Sequence, residues 1–85
     1  MNIHKNKNTV IEEVNGKNII INLDNGGFFQ INEIGLEIWN AIYENIDKNE
    51  LIKIFNQKYK NENVEKDCLD FLKKLDERKL ISFSD

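Results

Sequence analysis

A thiol nucleophile works as a thiolate with a base beside it, and this chain offers one cysteine, Cys68, and one histidine, His4. Neither is set for that task. Cys68 falls on the apolar stripe of a helix, the setting of a small buried hydrophobe, and His4 lies in residues 1–8, which read as a frayed tail. Paired carboxylates are the other route to acid–base work, yet Glu12-Glu13 adjoin on a strand and Asp76-Glu77 on a helix, so each pair diverges. Gly26-Gly27 has the spacing of neither phosphate-cradling signature, GxGxxG nor GxxxxGK[ST]. A lone cysteine also excludes an internal disulfide and the multi-cysteine frameworks of zinc and iron–sulfur sites. The reading is a chain that is not an enzyme acting alone and that carries no cofactor or metal.

What remains is the chemistry of the main chain itself. In Gly27-Phe28-Phe29-Gln30-Ile31-Asn32-Glu33-Ile34-Gly35 an aromatic-rich extended run gives way to a helix through an asparagine able to cap it. Read as a sheet edge, Phe28 to Ile31 presents unpaired N–H and C=O groups, which either invite aggregation or accept a peptide as an added strand.

The elements that position this edge follow from turn and period signals. Thr9 to Val14, Asn18 to Leu23 and Phe28 to Ile31 are strand-like runs, joined by Asn15-Gly16 and by Asp24-Asn25-Gly26-Gly27. Asn-Gly supplies the positive-φ pair of a tight hairpin, so the spacing predicts a three-stranded antiparallel meander. Within it Phe29 and Ile31 share one face, opposite Phe28 and Gln30, and Ile19, Ile21 and Leu23 oppose Ile20 and Asn22. Past Asn32 the apolar period becomes helical. Ile34, Ile38, Trp39, Ile42, Tyr43 and Ile46 predict a first helix of about 13 residues. Asp47 with Glu50 opens a second helix that buries Leu51, Ile54, Phe55 and Tyr59. The run Lys60-Asn61-Glu62-Asn63 interrupts the period, and a third helix starts near Asn63 or Val64 with Val64, Cys68, Phe71, Leu72 and Leu75 in one stripe. Leu80-Ile81-Ser82-Phe83 is a closing strand or extended tail. The fold class expected is α+β and winged-helix-like, a three-stranded antiparallel meander followed by three helices, in one domain over 1–85.

Composition agrees with a folded domain too small for a deep cavity. At 85 residues, with 40% apolar residues, 32% charged and no proline, a chain buries only about 60 to 65% of its unfolded surface. No apolar run nears the roughly 18 residues of a membrane span, and a reducing cytoplasm is the simplest compartment. The inventory also suits a winged-helix DNA-binding regulator, which is held as the alternative. Charge opposes it: the net charge is −3, and from Lys60 to Lys79 six basic residues meet six acidic ones, so the third helix is no cationic stripe. Order opposes it too, because a wing follows its recognition helix and here the hairpins come first. A further reading makes the edge strand a homodimer seam.

Three strands, then Phe29-Gln30-Ile31-Asn32 with Gly35 and Trp39, then Tyr59, then Asp67-Cys68-Leu69-Asp70-Phe71-Leu72-Lys73-Lys74-Leu75 and a closing Leu80-Ile81, form an order that resembles the PqqD-like family. These are the recognition elements for precursors of ribosomally synthesised, post-translationally modified peptides (RiPPs). The resemblance runs from about Val10 to Ile81. It departs at Ile31 for leucine, at Cys68 for an aliphatic residue and at Lys79, where the family often has glycine. It implies capture of a precursor's leader segment as a strand beside the third strand and third helix, and delivery of the peptide to a modifying enzyme. A radical SAM maturase is favoured, with a lasso-type leader protease next. Carried onto this chain, Gly27, Phe28, Phe29, Gln30 and Ile31 supply the edge, and Phe71, Leu72 and Leu75 floor the groove. Asp67, Asp70, Lys74 and Arg78 rim it with charge. Phe28, facing away from Phe29 and Ile31, is the favoured side-chain contact.

Overall fold

The computed structural model describes residues 1–60 and 63–85, so residues 61 and 62 of the interrupting polar run lie outside the described residues. In chain order the elements are β1 (Asn2–Lys5), β2 (Thr9–Val14), β3 (Lys17–Asn22), β4 (Phe28–Ile31), α1 (Glu33–Ala41), β5 (Ile46–Asp47), α2 (Lys48–Lys58), α3 (Val64–Glu77) and β6 (Ile81–Ser84). The meander is β2-β3-β4, antiparallel throughout, with β4 at its edge. Its first turn has the predicted chemistry, Asn15 at φ 53° and Gly16 at φ 78°.

A second sheet, in the order β5-β1-β6, was not expected. Residues 2–5, read from sequence as tail, are its central strand. They pair with β6 from Asn2↔Ser84 to Lys5↔Ile81, and with β5 at Ile3↔Ile46. Ile3 alone among apolar side chains in that segment faces the core, where it is fully buried. One apolar residue flanked by Asn, His and Lys leaves almost no periodic signal, so the pairing is made by the distant partner strands.

The same sheet shortens the first helix. α1 spans 9 residues, because Ile42 turns extended at its C-cap and Asn45 adopts φ 66°, delivering Ile46 to β1. Ile42 and Ile46 fit a helical period but are buried on a turn and a strand. Tyr43 and Ile34 of the predicted stripe are exposed, as is Ile54 of α2, where Ile52 is buried in its place. Asp47 does cap α2, its carboxylate accepting from the Asn49 and Glu50 N–H groups.

Sheet and helices share one core in which Ile20 and Ile31 of the meander meet Ile38, Trp39, Leu51, Phe55, Leu72 and Leu75. The inward parity of β3 is that of Ile20 and Asn22, the less apolar of its two faces. Asn22 is only 2% exposed. Its side-chain N–H donates to the Arg78 and Lys79 carbonyls at 3.3 and 3.4 Å, and its oxygen accepts from Asp24 N–H at 2.9 Å. This side chain ties the end of α3 to the sheet. Asn22→Ala removes the side-chain donor to the Arg78 carbonyl, while the Lys79 carbonyl keeps the Asn6 side-chain N–H at 3.0 Å, and is expected to cost about 0.5 to 1.5 kcal/mol in urea denaturation.

The end of α3 is a Schellman turn. Leu80 N–H donates to Leu75 O at 2.9 Å and Lys79 N–H to Asp76 O at 3.0 Å, with Lys79 left-handed at φ 59°. This is the position at which the family often has glycine, and the lysine holds the turn at a conformational cost. Lys79→Gly is expected to stabilise by about 1 kcal/mol, raising the thermal midpoint roughly 4 to 8 °C.

Candidate functional site

Which groups β4 offers outward follows from its register. Asn22 N–H donates to Gly27 O at 2.8 Å, and Ile20↔Phe29 and Asn18↔Ile31 follow at two-residue steps. In an antiparallel ladder the main-chain direction alternates, so Phe29 and Ile31 bond to β3 while Phe28 and Gln30 turn their N–H and C=O to the open edge.

Opposite that edge stands α3, running antiparallel to β4. Phe71 stacks on Phe29 with ring centroids 6.1 Å apart, and the Arg78 guanidinium lies 4.6 Å from the Phe29 centroid. Between the two walls is a groove of about 410 Å³ lined by Phe29, Gln30, Ile31, Asp67, Asp70, Phe71 and Lys74, and closed at one end by Asn32, Ile34, Gly35 and Ile38. The closed end is built by the α1 cap. Asn32 accepts from Gly35 N–H at 2.8 Å, and Gly35 brings α1 close to α3, since a Cβ there would stand 3.1 Å from the Phe71 ring.

The rim carries exposed charge; among the described residues its one ion pair, Lys66 to Asp70, is long at 3.8 Å and solvent-screened. A smaller hollow of about 240 Å³ adjoins the closed end, sharing Ile34, Ile38 and Asp67 with the groove and adding Phe55, Tyr59, Val64 and Cys68. Burial pushes the Cys68 thiol up to about 11, so it stays protonated at neutral pH and serves packing. Beside this hollow the Tyr59 hydroxyl donates to Glu37, which Lys58 also pairs at 2.9 Å. The Tyr59 bond, then Lys58, holds the Glu37 carboxyl below the usual carboxylate range. Among the described residues no group of three or more His, Cys, Asp or Glu side chains is placed to hold a metal, and no helix is long and apolar enough to cross a membrane.

Of the residues singled out from sequence, the structure brings Phe29, Gln30, Ile31, Asp67, Asp70, Phe71 and Lys74 to one groove, with Arg78 against Phe29. Leu72 and Leu75 are not its floor; at 1% and 0% exposure they are core beneath it, being one helical step behind Phe71. Phe28 is 70% exposed, but its side chain shares the outer sheet face with Val10 and Ile21, away from α3. Only its main chain addresses the edge, and Gly27 belongs to the preceding turn. The contribution of α1 through Ile34, Gly35 and Ile38 was missed, although the Asn32 cap and Gly35 at its third position carried the signal.

An edge strand facing a helix across a half-apolar groove, in an α+β domain of this strand and helix order, defines a class of small winged-helix-like domains. The chain belongs to the PqqD family: the family model described as coenzyme PQQ synthesis protein D matches residues 17–81. Two solved structures share the fold. One, described as TbiB1 in complex with the TbiA(beta) leader peptide, superposes with a TM-score of 0.76 at 22% identity, covering 96% of this chain and 99% of that one. The other, a lasso peptide synthetase B1 complexed with the leader peptide, has a TM-score of 0.74 at 12% identity, with 95% and 98% covered. No curated protein sequence matches the chain.

Proposed function

We propose that this chain is a non-catalytic recognition domain, residues 1–85 acting as one unit, that binds the leader segment of a RiPP precursor by strand addition to β4. The observation that carries the reading is the pair of outward main-chain sets at Phe28 and Gln30 on the edge of β4, with Gln30 lining the groove opposite Phe71 and Lys74 of α3. Strand addition draws affinity from main-chain bonds and selectivity from alternate side chains entering the groove. It also fits a disordered leader, whose ordering takes about 2 to 5 kcal/mol of the gross interaction.

Binding of this kind works by effective concentration, holding the precursor's core segment near an enzyme. The enzyme served is a radical SAM maturase or a leader protease. The second gains support from the lasso peptide synthetase component among the similar structures.

The test is a titration of the isotope-labelled protein with the synthetic leader of the short open reading frame adjacent to its gene. Saturable binding with amide shifts concentrated at Phe28, Gln30, Phe71 and Lys74 is the expected result. Shifts confined to β1, β5 and β6, or no binding, would overturn it.

A further inference from the structure

The charges along the groove are sorted, and β4 and α3 run in opposite directions past each other. At the Ile31 and Gly35 end the rim carries Asp67 and Asp70, the latter only loosely met by Lys66 at an exposed 3.8 Å; at the Phe29 end it is basic, Lys74 with Arg78 stacked on the ring. All four side chains belong to exposed residues, and Phe71 lies between the two pairs on α3, stacked on Phe29. A peptide lying here meets two carboxylates at one end, an aromatic wall in the middle and two cationic side chains at the other.

Resting on leader binding as proposed above, we infer that the groove reads the order of charges in its peptide, and through that order the direction in which the peptide lies. The meander is antiparallel throughout, so an added strand in the same sense runs from the Ile31 end toward the Phe29 end. Its earlier residue then faces Asp67 and Asp70 and its later one Lys74 and Arg78. The midpoints of the two pairs are about 7 to 8 residues apart on α3, or about 11 Å at 1.5 Å per residue. A strand covers that in three to four residues at about 3.3 Å each, and only every second side chain points into the groove, which selects a separation of four.

The pattern recognised is therefore a cation, any residue, an apolar residue, any residue, then an anion, in N-to-C order. The central apolar residue packs on Phe29 and Phe71. The reverse order places like charges together at both ends, which is the stronger part of the discrimination. The orientation also sends whatever follows the leader out past Arg78 and the turn before β4, so the modifying enzyme's site must approach from that side.

The experiment is selection of a displayed library of random 15-residue peptides on the whole protein at low salt, with a parallel selection on Gln30→Pro. The expected result is enrichment of cation-x-apolar-x-anion over its reversal by about tenfold, dependent on Gln30. A selection on the folded swap variant Asp67→Lys, Asp70→Lys, Lys74→Asp, Arg78→Asp is expected to invert the preference. Edge-dependent binders without a charge order, or with an order the swap leaves unchanged, overturn this inference while leaving leader binding in place. No enrichment over Gln30→Pro overturns both. Should the swap variant fail to fold, Asp70→Lys with Lys74→Asp alone tests the same inversion, and the wild-type selection decides independently of either.

Discussion

Gln30→Pro is expected to lower leader affinity by at least about tenfold while leaving the fold intact. The two halves of that expectation rest on the same geometry. Proline lacks an N–H and fixes φ near −65°, so within a ladder it breaks a bond. On an edge strand with its N–H turned outward, it does not. Gln30 is such a position, since the β3-facing groups of β4 are those of Phe29 and Ile31. The preceding residue is pushed toward extended backbone by proline, and Phe29 is already in a strand. The folded state therefore loses no internal hydrogen bond. The visiting strand loses one donor, worth about 0.5 to 1.5 kcal/mol net, and meets a ring where its own backbone must approach. Fluorescence anisotropy with the labelled leader measures the loss, and circular dichroism checks the fold. Unchanged affinity in a folded Gln30→Pro protein would exclude strand addition along β4. Phe28→Ala separates side chain from main chain: its ring is on the outer face, so its effect is expected to stay within about threefold, roughly 0.6 kcal/mol.

How much of this was legible beforehand divides along the range of the interactions involved. The meander was readable because its signals are local: Asn15-Gly16 sets one turn, and Asn32 and Asp47 cap helices at the residues immediately following them. The groove was readable in outline because β4 and α3 each carry their own pattern. Their facing, however, depends on which side of each element is buried. Pattern alone put Leu72 and Leu75 beside Phe71 on one stripe, and only packing distinguishes the buried back of that stripe from its half-exposed shoulder. In β3 the misleading signal is sharper, because the more aliphatic face, Ile19 and Ile21, is the outer one. Asn22 goes inward since the helix end needs a donor there. The second sheet was illegible for a different reason. Its pairings join residues 2–5 to 81–84 and 46–47, and a two-residue strand has no period to detect.

Ile3→Ala is expected to destabilise the protein by about 2 to 5 kcal/mol, a large fraction of the roughly 5 to 15 kcal/mol that holds a domain folded. Ile3 is fully buried, opposite Ile46 on one side and Phe83 on the other. It is thus the central apolar residue of the sheet that joins residues 2–5, 46–47 and 81–84. Removing its three outer carbons leaves a cavity that three strands must collapse to fill, and β5 has only two residues with which to move. Loss of β1 would also free β6, whose Ile81 belongs to the same core. From there the effect reaches the groove. Leu80 N–H caps α3 through Leu75 O, and Asn6 N–H holds Leu80 O at 2.9 Å, so the end of α3 that carries Arg78 is moored to the segment following β1. A deletion of residues 1–5 is accordingly expected to lower both the thermal midpoint and leader affinity, whereas a frayed tail would change neither. Urea denaturation of Ile3→Ala beside a surface control such as Lys7→Ala measures the first effect, and a leader titration of the deletion at a temperature where it remains folded measures the second. If both proteins match the wild type, β1 is not part of the cooperative fold, and the helix wall of the groove is held without it, by its own core side chains and by the Asn22 and Asn6 bonds at its end.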